Sequence, residues 1–171
     1  MYCTLLGFEP GLVPMSSPAV TALTVLLTPA SRGTVRLRAA DPGAPLAVDP
    51  AYLADEADRK ALRQGLEQVR ALFQAPALAA ITGPALYPAP AADDRELDAF
   101  ISQSLVSIWH PVGTCRMGTS PDTVVSPRLA VHGLENLYVA DASVMPTITR
   151  GNTHAPVIMI AEKAASMLAA G

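Results

Sequence analysis

The residues able to do chemistry gather in the last third of the chain, in three short blocks punctuated by Gly and Pro. They are Trp109-His110-Pro111-Val112-Gly113-Thr114-Cys115-Arg116-Met117-Gly118, then Leu137-Tyr138-Val139-Ala140-Asp141-Ala142-Ser143-Val144-Met145-Pro146, then Gly151-Asn152-Thr153-His154-Ala155-Pro156. Histidine changes charge near neutral pH, so His110 can take a proton from a hydroxyl group. Asn152 offers an amide that hydrogen-bonds an oxygen but cannot act as a base at pH 7. Each residue also has a plainer reading. A lone histidine is commonly structural or on the surface. An Asn between Gly and Thr is most simply a helix N-cap, and Asp141-Ala142-Ser143 is a strand-end turn. His132, before Gly133, reads as a surface residue, and Arg116 and Asp122 read as structural.

Presenting such groups to one small ligand requires a rigid scaffold of strands and helices beneath the turns. Leu23–Leu27 and Thr34–Arg38 are β-rich, with turn residues Pro29-Ala30-Ser31-Arg32-Gly33 between them, which predicts a hairpin. Asp41 to Pro50 is a Pro-punctuated loop. Asp55 is an expected N-cap for a helix to about Gln74, with Leu62, Leu66, Val69 and Phe73 at helical spacing. A second helix is expected from Asp94 to about Ser107, with Leu97, Phe100, Ile101 and Leu105 inward. Leu137–Ala140 reads as a short buried strand. The last helix should run from about Thr153 to Ala169, with Pro156 tolerated in its first turn.

The three blocks, in this order and spacing, resemble the C-terminal end of the GMC (glucose–methanol–choline) flavin-dependent alcohol oxidoreductases. The resemblance covers about Ala22 to Gly171. It implies an α+β fold in which an antiparallel sheet is backed by helices, with a terminal strand and helix that join an FAD-binding domain. It divides the chain into an irregular lead-in over 1–21, a substrate-binding domain over 22–136, and a strand and helix over 137–171. It makes His110 the catalytic base over the flavin and Asn152 its partner across the substrate oxygen, with His154 in support. It implies FAD contacts at Trp109, Asp141, Ala142, Asn152 and Thr153, those of Asp141 and Ala142 mostly through backbone N–H groups. The N-terminus of the last helix would favour the negative charge of reduced flavin. The partners implied are a small-molecule alcohol and an N-terminal FAD-binding region. Such enzymes hold the ADP half of FAD with a Gly-x-Gly-x-x-Gly turn, and these 171 residues contain no two glycines separated by one residue. A C-terminal catalytic portion is therefore expected; the alternative is an inactive remnant or a binding module of the same fold.

Bulk properties narrow the field further. Half the residues are apolar and 16% are charged, which favours a folded chain over a disordered one. A net charge of −3 and the lack of a basic cluster argue against nucleic acid. Cys3 and Cys115 are too few and too distant for a disulfide framework or a zinc site, and Cys115 reads as a free, structural thiol. No metal site is expected. Apolar runs fall far short of the ~20 residues a membrane helix needs, and no signal peptide is evident, so a soluble, cytoplasmic protein is expected. A nucleophilic hydrolase is disfavoured because no Ser lies in a Gly-x-Ser-x-Gly turn. The 171-residue chain is expected to purify colourless, and a yellow protein with stoichiometric flavin would overturn that expectation.

Overall fold

Asp55 starts the longest helix by accepting a hydrogen bond from the Ala57 N–H at 2.9 Å. The structure is a computed structural model that describes residues 2–5, 20–89 and 91–170. In chain order its elements are β1 (Tyr2–Leu5), β2 (Leu23–Leu26), β3 (Thr34–Arg36), β4 (Ala47–Asp49), α1 (Glu56–Gln74), α2 (Pro76–Ala79), α3 (Asp94–Ser104), β5 (Leu105–Ser107), a 3-10 turn (Ala142–Val144) and α4 (His154–Ala169). They form two compact units, one of residues 1–33 and 50–108, the other of 34–49 and 109–171. The class is α+β, as expected.

In the first unit, β1 is the middle strand of an antiparallel sheet ordered β2-β1-β5, with Cys3 opposite Val25 on one side and Val106 on the other. Helix α1 packs on β2 and on α3. Leu62 and Leu66 of α1 and Leu97 and Ile101 of α3 are fully buried with Leu53, and Val69 and Phe100 pack against them. These are inward positions that helical spacing predicts; Phe73, predicted with them, is half-buried and not part of this cluster. Asp93 and Glu96 cap α3 reciprocally. Arg63 of α1 reaches Asp98 of α3 at 2.7 Å and Glu56 at 2.9 Å, tying the two helices at their polar edge. Gly65 is where α1 comes closest to the sheet, since a Cβ there would lie 2.2 Å from the Thr24 methyl.

The expected hairpin of Leu23–Leu27 with Thr34–Arg38 does not form. β2 pairs with β1, and β3 pairs with β4, Thr34 opposite Asp49, inside the stretch read as a loop. The reason is local. The linking segment is fastened to the start of α1, where the Asp58 carboxylate accepts from the N–H groups of Ala30 and Ser31 at 2.7 and 2.9 Å. The Ser31 hydroxyl accepts from the Asp55 N–H, and Arg32 donates to the carbonyls of Pro29, Ala30 and Ser31. A segment held in this way cannot also turn β2 back upon β3.

Three further corrections apply. The lead-in contains β1, while its residues 6–19 lie outside the described residues. The second helix stops at Ser104, because Leu105–Ser107 leaves it to pair with β1. Leu137–Ala140 is not a buried strand: it makes one isolated bridge, Ala130 with Tyr138, and Leu137 and Tyr138 are 48% and 43% exposed. An apolar run makes a buried strand only where neighbouring strands satisfy its backbone, and none flanks it among the described residues.

The second unit has little regular structure. Its core is Val125, Leu129, Val144, Met145, Ile160 and Ala164, so α4 is seated on the 3-10 turn and on the irregular segment before it. That segment is held by bridges between Met117 and Val125 and between Val125 and Val131.

Asp58 is 2% exposed, and removing its carboxylate leaves two backbone donors without their acceptor. Asp58→Ala is expected to cost roughly 2–3 kcal/mol by urea denaturation. A change below about 0.5 kcal/mol, the scale of an ordinary surface substitution, would overturn this account.

Candidate functional site

The second unit contains all three blocks, and backbone hydrogen bonds lock the first to the second. The Cys115 N–H donates to the Ser143 carbonyl at 3.0 Å and the Met117 N–H to the Val144 carbonyl at 2.8 Å. Gly113 lies at the close approach: its φ is +88°, and a Cβ there would lie 3.4 Å from the Met145 carbonyl oxygen. Only glycine takes that conformation without strain. Asp141 caps the 3-10 turn, its carboxylate accepting from the Ser143 N–H at 2.8 Å and the Ser143 hydroxyl at 2.5 Å. One carboxylate oxygen of Asp141, Oδ1, is thus taken up by its own turn.

The first block meets the third at His110. Its Nδ1 lies 2.9 Å from the Thr153 hydroxyl, across 43 residues of chain. Thr153 is the residue before α4 and is 7% exposed, while Asn152 and His154 on either side of it are exposed. The helix cap therefore falls on Thr153, one residue later than the Asn152 cap expected. Its backbone is helical, φ −85° and ψ −5°, and its side chain makes no capping hydrogen bond. Pro156, third in the helix, has no N–H to satisfy, and the Val157 N–H reaches the Thr153 carbonyl at 3.0 Å. The N–H groups of His154 and Ala155 remain as the open donors of the helix start.

Trp109 precedes His110 with φ +59° and is 84% exposed. A left-handed backbone at a bulky residue stores strain of ~1–3 kcal/mol, and such strain clusters where geometry serves function. His110 itself is half-buried, and its Nε2 has no hydrogen-bond partner among the described residues. The imidazole is thus anchored at one nitrogen and open at the other. Asn152 likewise has an unpartnered amide among the described residues. The structure brings His110 directly to Thr153, next to Asn152, with no direct bond between His110 and Asn152. The link through Thr153 was not legible beforehand, because a Thr at a helix start signals a cap and nothing more.

The residues set aside have structural roles. His132 is exposed, with Nε2 at 3.2 Å from both the Thr123 hydroxyl and the Gly118 carbonyl. Arg116 pairs with Asp122. Hydrogen bonds from the Ser120 hydroxyl and the Arg116 guanidinium hold the Asp122 carboxyl below the ordinary carboxylate range. Cys115 is a free, half-buried thiol. Among the described residues no three His, Cys, Asp or Glu gather to hold a metal ion, and no helix is long and apolar enough to cross a membrane.

Comparison with known proteins agrees on one family. The C-terminal profile described as GMC oxidoreductase matches residues 29–161. The chain is 46% identical over 143 residues to an alcohol dehydrogenase (acceptor) of Pseudomonas putida, covering 83% of this chain and 26% of that protein. It is 39% identical over 161 residues to human mitochondrial choline dehydrogenase, covering 92% of this chain and 27% of that one. Among solved structures, pyridoxine 4-oxidase from Mesorbium loti superposes with a TM-score of 0.79 at 41% identity, over 85% of this chain and 28% of that chain. Formate oxidase from Aspergillus oryzae RIB40, in a structure concerned with FAD modification, gives 0.82 at 28% identity, over 98% of this chain and 31% of its own. The chain spans between a quarter and a third of the length of these proteins.

Two outcomes follow from the geometry. Gly113→Ala, forced into a left-handed φ, is expected to lose about 1–2 kcal/mol by thermal or urea melting, and an unchanged midpoint would refute the close approach. The Asp122 carboxyl should titrate below the ordinary range when followed by NMR. A depressed folded pKa means that its contribution is present above the unfolded value and is lost as the pH falls through the folded one. Arg116→Ala should move its titration back up.

Proposed function

The chain belongs to the GMC oxidoreductase family, and from that premise we propose that it is the C-terminal catalytic portion of a flavin-dependent alcohol oxidoreductase. The observation that supports this most directly is the His110 ring, anchored through Nδ1 to Thr153 at the start of α4, with Nε2 unpartnered among the described residues. Oxidation of a CH–OH group separates into loss of the hydroxyl proton and loss of hydride from carbon, leaving a carbonyl. His110 takes the proton at Nε2. Asn152 orients the substrate oxygen by a hydrogen bond and cannot replace the base.

The residues present fit one edge of a flavin, whose approach needs open polar donors and an accessible aromatic surface. The His154 and Ala155 N–H groups at the start of α4 favour negative charge there, and Trp109 presents an exposed ring. We assign Trp109, Asp141, Ala142, Asn152 and Thr153 to the cofactor side. Thr153 would act there through its backbone, since its hydroxyl is engaged by His110, and Asp141 mostly through its backbone, since its Oδ1 is engaged by Ser143. Bound FAD would supply the hydride acceptor. The phosphate cradle for its ADP half is assigned to an N-terminal FAD-binding region, with a small alcohol as substrate.

The test is made in a complete enzyme carrying this sequence. His110→Ala is expected to lower turnover ~100-fold or more, the scale on which a general base acts. Asn152→Ala should lower it less, because an orienting bond is lost and the base remains. Turnover of His110→Ala near that of the unsubstituted enzyme would end the assignment.

A further inference from the structure

A threonine before a helix ordinarily turns its hydroxyl onto the N–H of the second or third helical residue. Thr153 does not. Its backbone is already helical and its side chain makes no capping bond. Yet it is 7% exposed, and a buried hydroxyl without a partner is costly. The partner is Nδ1 of His110 at 2.9 Å. The capping bond that would stabilise α4 is absent, and the hydroxyl contacts one ring nitrogen instead.

That nitrogen decides what the other one can do. A neutral imidazole carries one N–H and one lone pair, and a hydrogen bond at either nitrogen selects between the two tautomers. A histidine side chain free in water favours the Nε2–H form, which has no lone pair at Nε2 to accept a proton. The threonine oxygen has lone pairs that no helix N–H occupies, so it can accept from Nδ1–H.

We propose that Thr153 is a positioning residue whose hydroxyl oxygen accepts from Nδ1–H of His110 and holds the neutral ring in the tautomer with a bare Nε2. The role of Nε2 as proton acceptor rests on the function proposed above; the tautomer does not, and the two fail separately. Proton uptake at Nε2 then needs no prior rotation or exchange of the ring. The resulting imidazolium keeps its Nδ1–H on Thr153 throughout.

The tautomer is read directly from long-range 1H–15N correlation spectra of the 15N-labelled 171-residue chain, at a pH high enough to keep the rings neutral. His110→Gln assigns the signals against those of His132 and His154. His110 is expected to be mainly the Nδ1–H form. Thr153→Val, which keeps the shape and removes the acceptor, should swing it towards Nε2–H, and Thr153→Ser should restore it. His132 and His154 should not move. A mainly Nε2–H ring in the unsubstituted chain overturns the proposal, and that spectrum decides even if the valine variant does not fold. So does a valine variant with an unchanged tautomer. In a complete enzyme where His110→Ala is impaired, Thr153→Val should lower kcat more than it alters KM, with recovery in Thr153→Ser; equal kcat in all three Thr153 forms would then overturn the positioning role. Should the ring prove Nδ1–H while His110→Ala remains active, the positioning contact stands and the base assignment falls.

Discussion

One hydrogen bond, His110 to Thr153, joins parts of the chain that are 43 residues apart. Three contacts within the second unit hold its two ends in place. The His110 block cannot drift, because Cys115 and Met117 are bonded to the carbonyls of the 3-10 turn. The turn cannot unwind, because Asp141 caps it. Helix α4 cannot slide, because Ile160 and Ala164 share a core with Val144 and Met145 of that same turn. A unit with so little regular sheet thus obtains a fixed imidazole from backbone clamps and one small apolar core. Preorganisation of this kind suits the role proposed for His110.

The first unit solves a different problem. Two amphipathic helices bury Leu62, Leu66, Leu97 and Ile101 beside a narrow three-stranded sheet, and a buried carboxylate, Asp58, fastens the segment that leaves β2. Burying a charge is tolerable only when donors surround it. Here the donors are backbone N–H groups, whose positions no side-chain substitution removes. The clamp sets where the chain goes after β2, and thereby which strand β2 takes as its partner.

Elements governed by local rules were legible in advance. The start of α1 at Asp55, its inward Leu62 and Leu66, the inward Leu97 and Ile101, and the run of α4 all follow from capping and helical spacing. Strand partners were not, because alternation marks a strand without naming its neighbour. The Leu23–Leu27 and Thr34–Arg38 segments therefore read as a pair, whereas a side chain of α1 separates them. Likewise Leu137–Ala140 has the composition of a buried strand and lacks strands on either side of it. The family was legible because the three blocks, in their order and spacing, resemble one family's C-terminal end, and the structure gathers all three blocks in one unit. The contact of Thr153 with His110 was not, since it depends on a backbone angle at the helix start.

The uncapped start of α4 limits how this helix can be strengthened. The usual remedy, Asp at the position before a helix, relies on an extended backbone there, and Thr153 is helical, φ −85° and ψ −5°. A carboxylate would also be buried at a position only 7% exposed. A directed-evolution campaign on this scaffold would gain heat resistance more readily from the exposed face of α4 than from position 153.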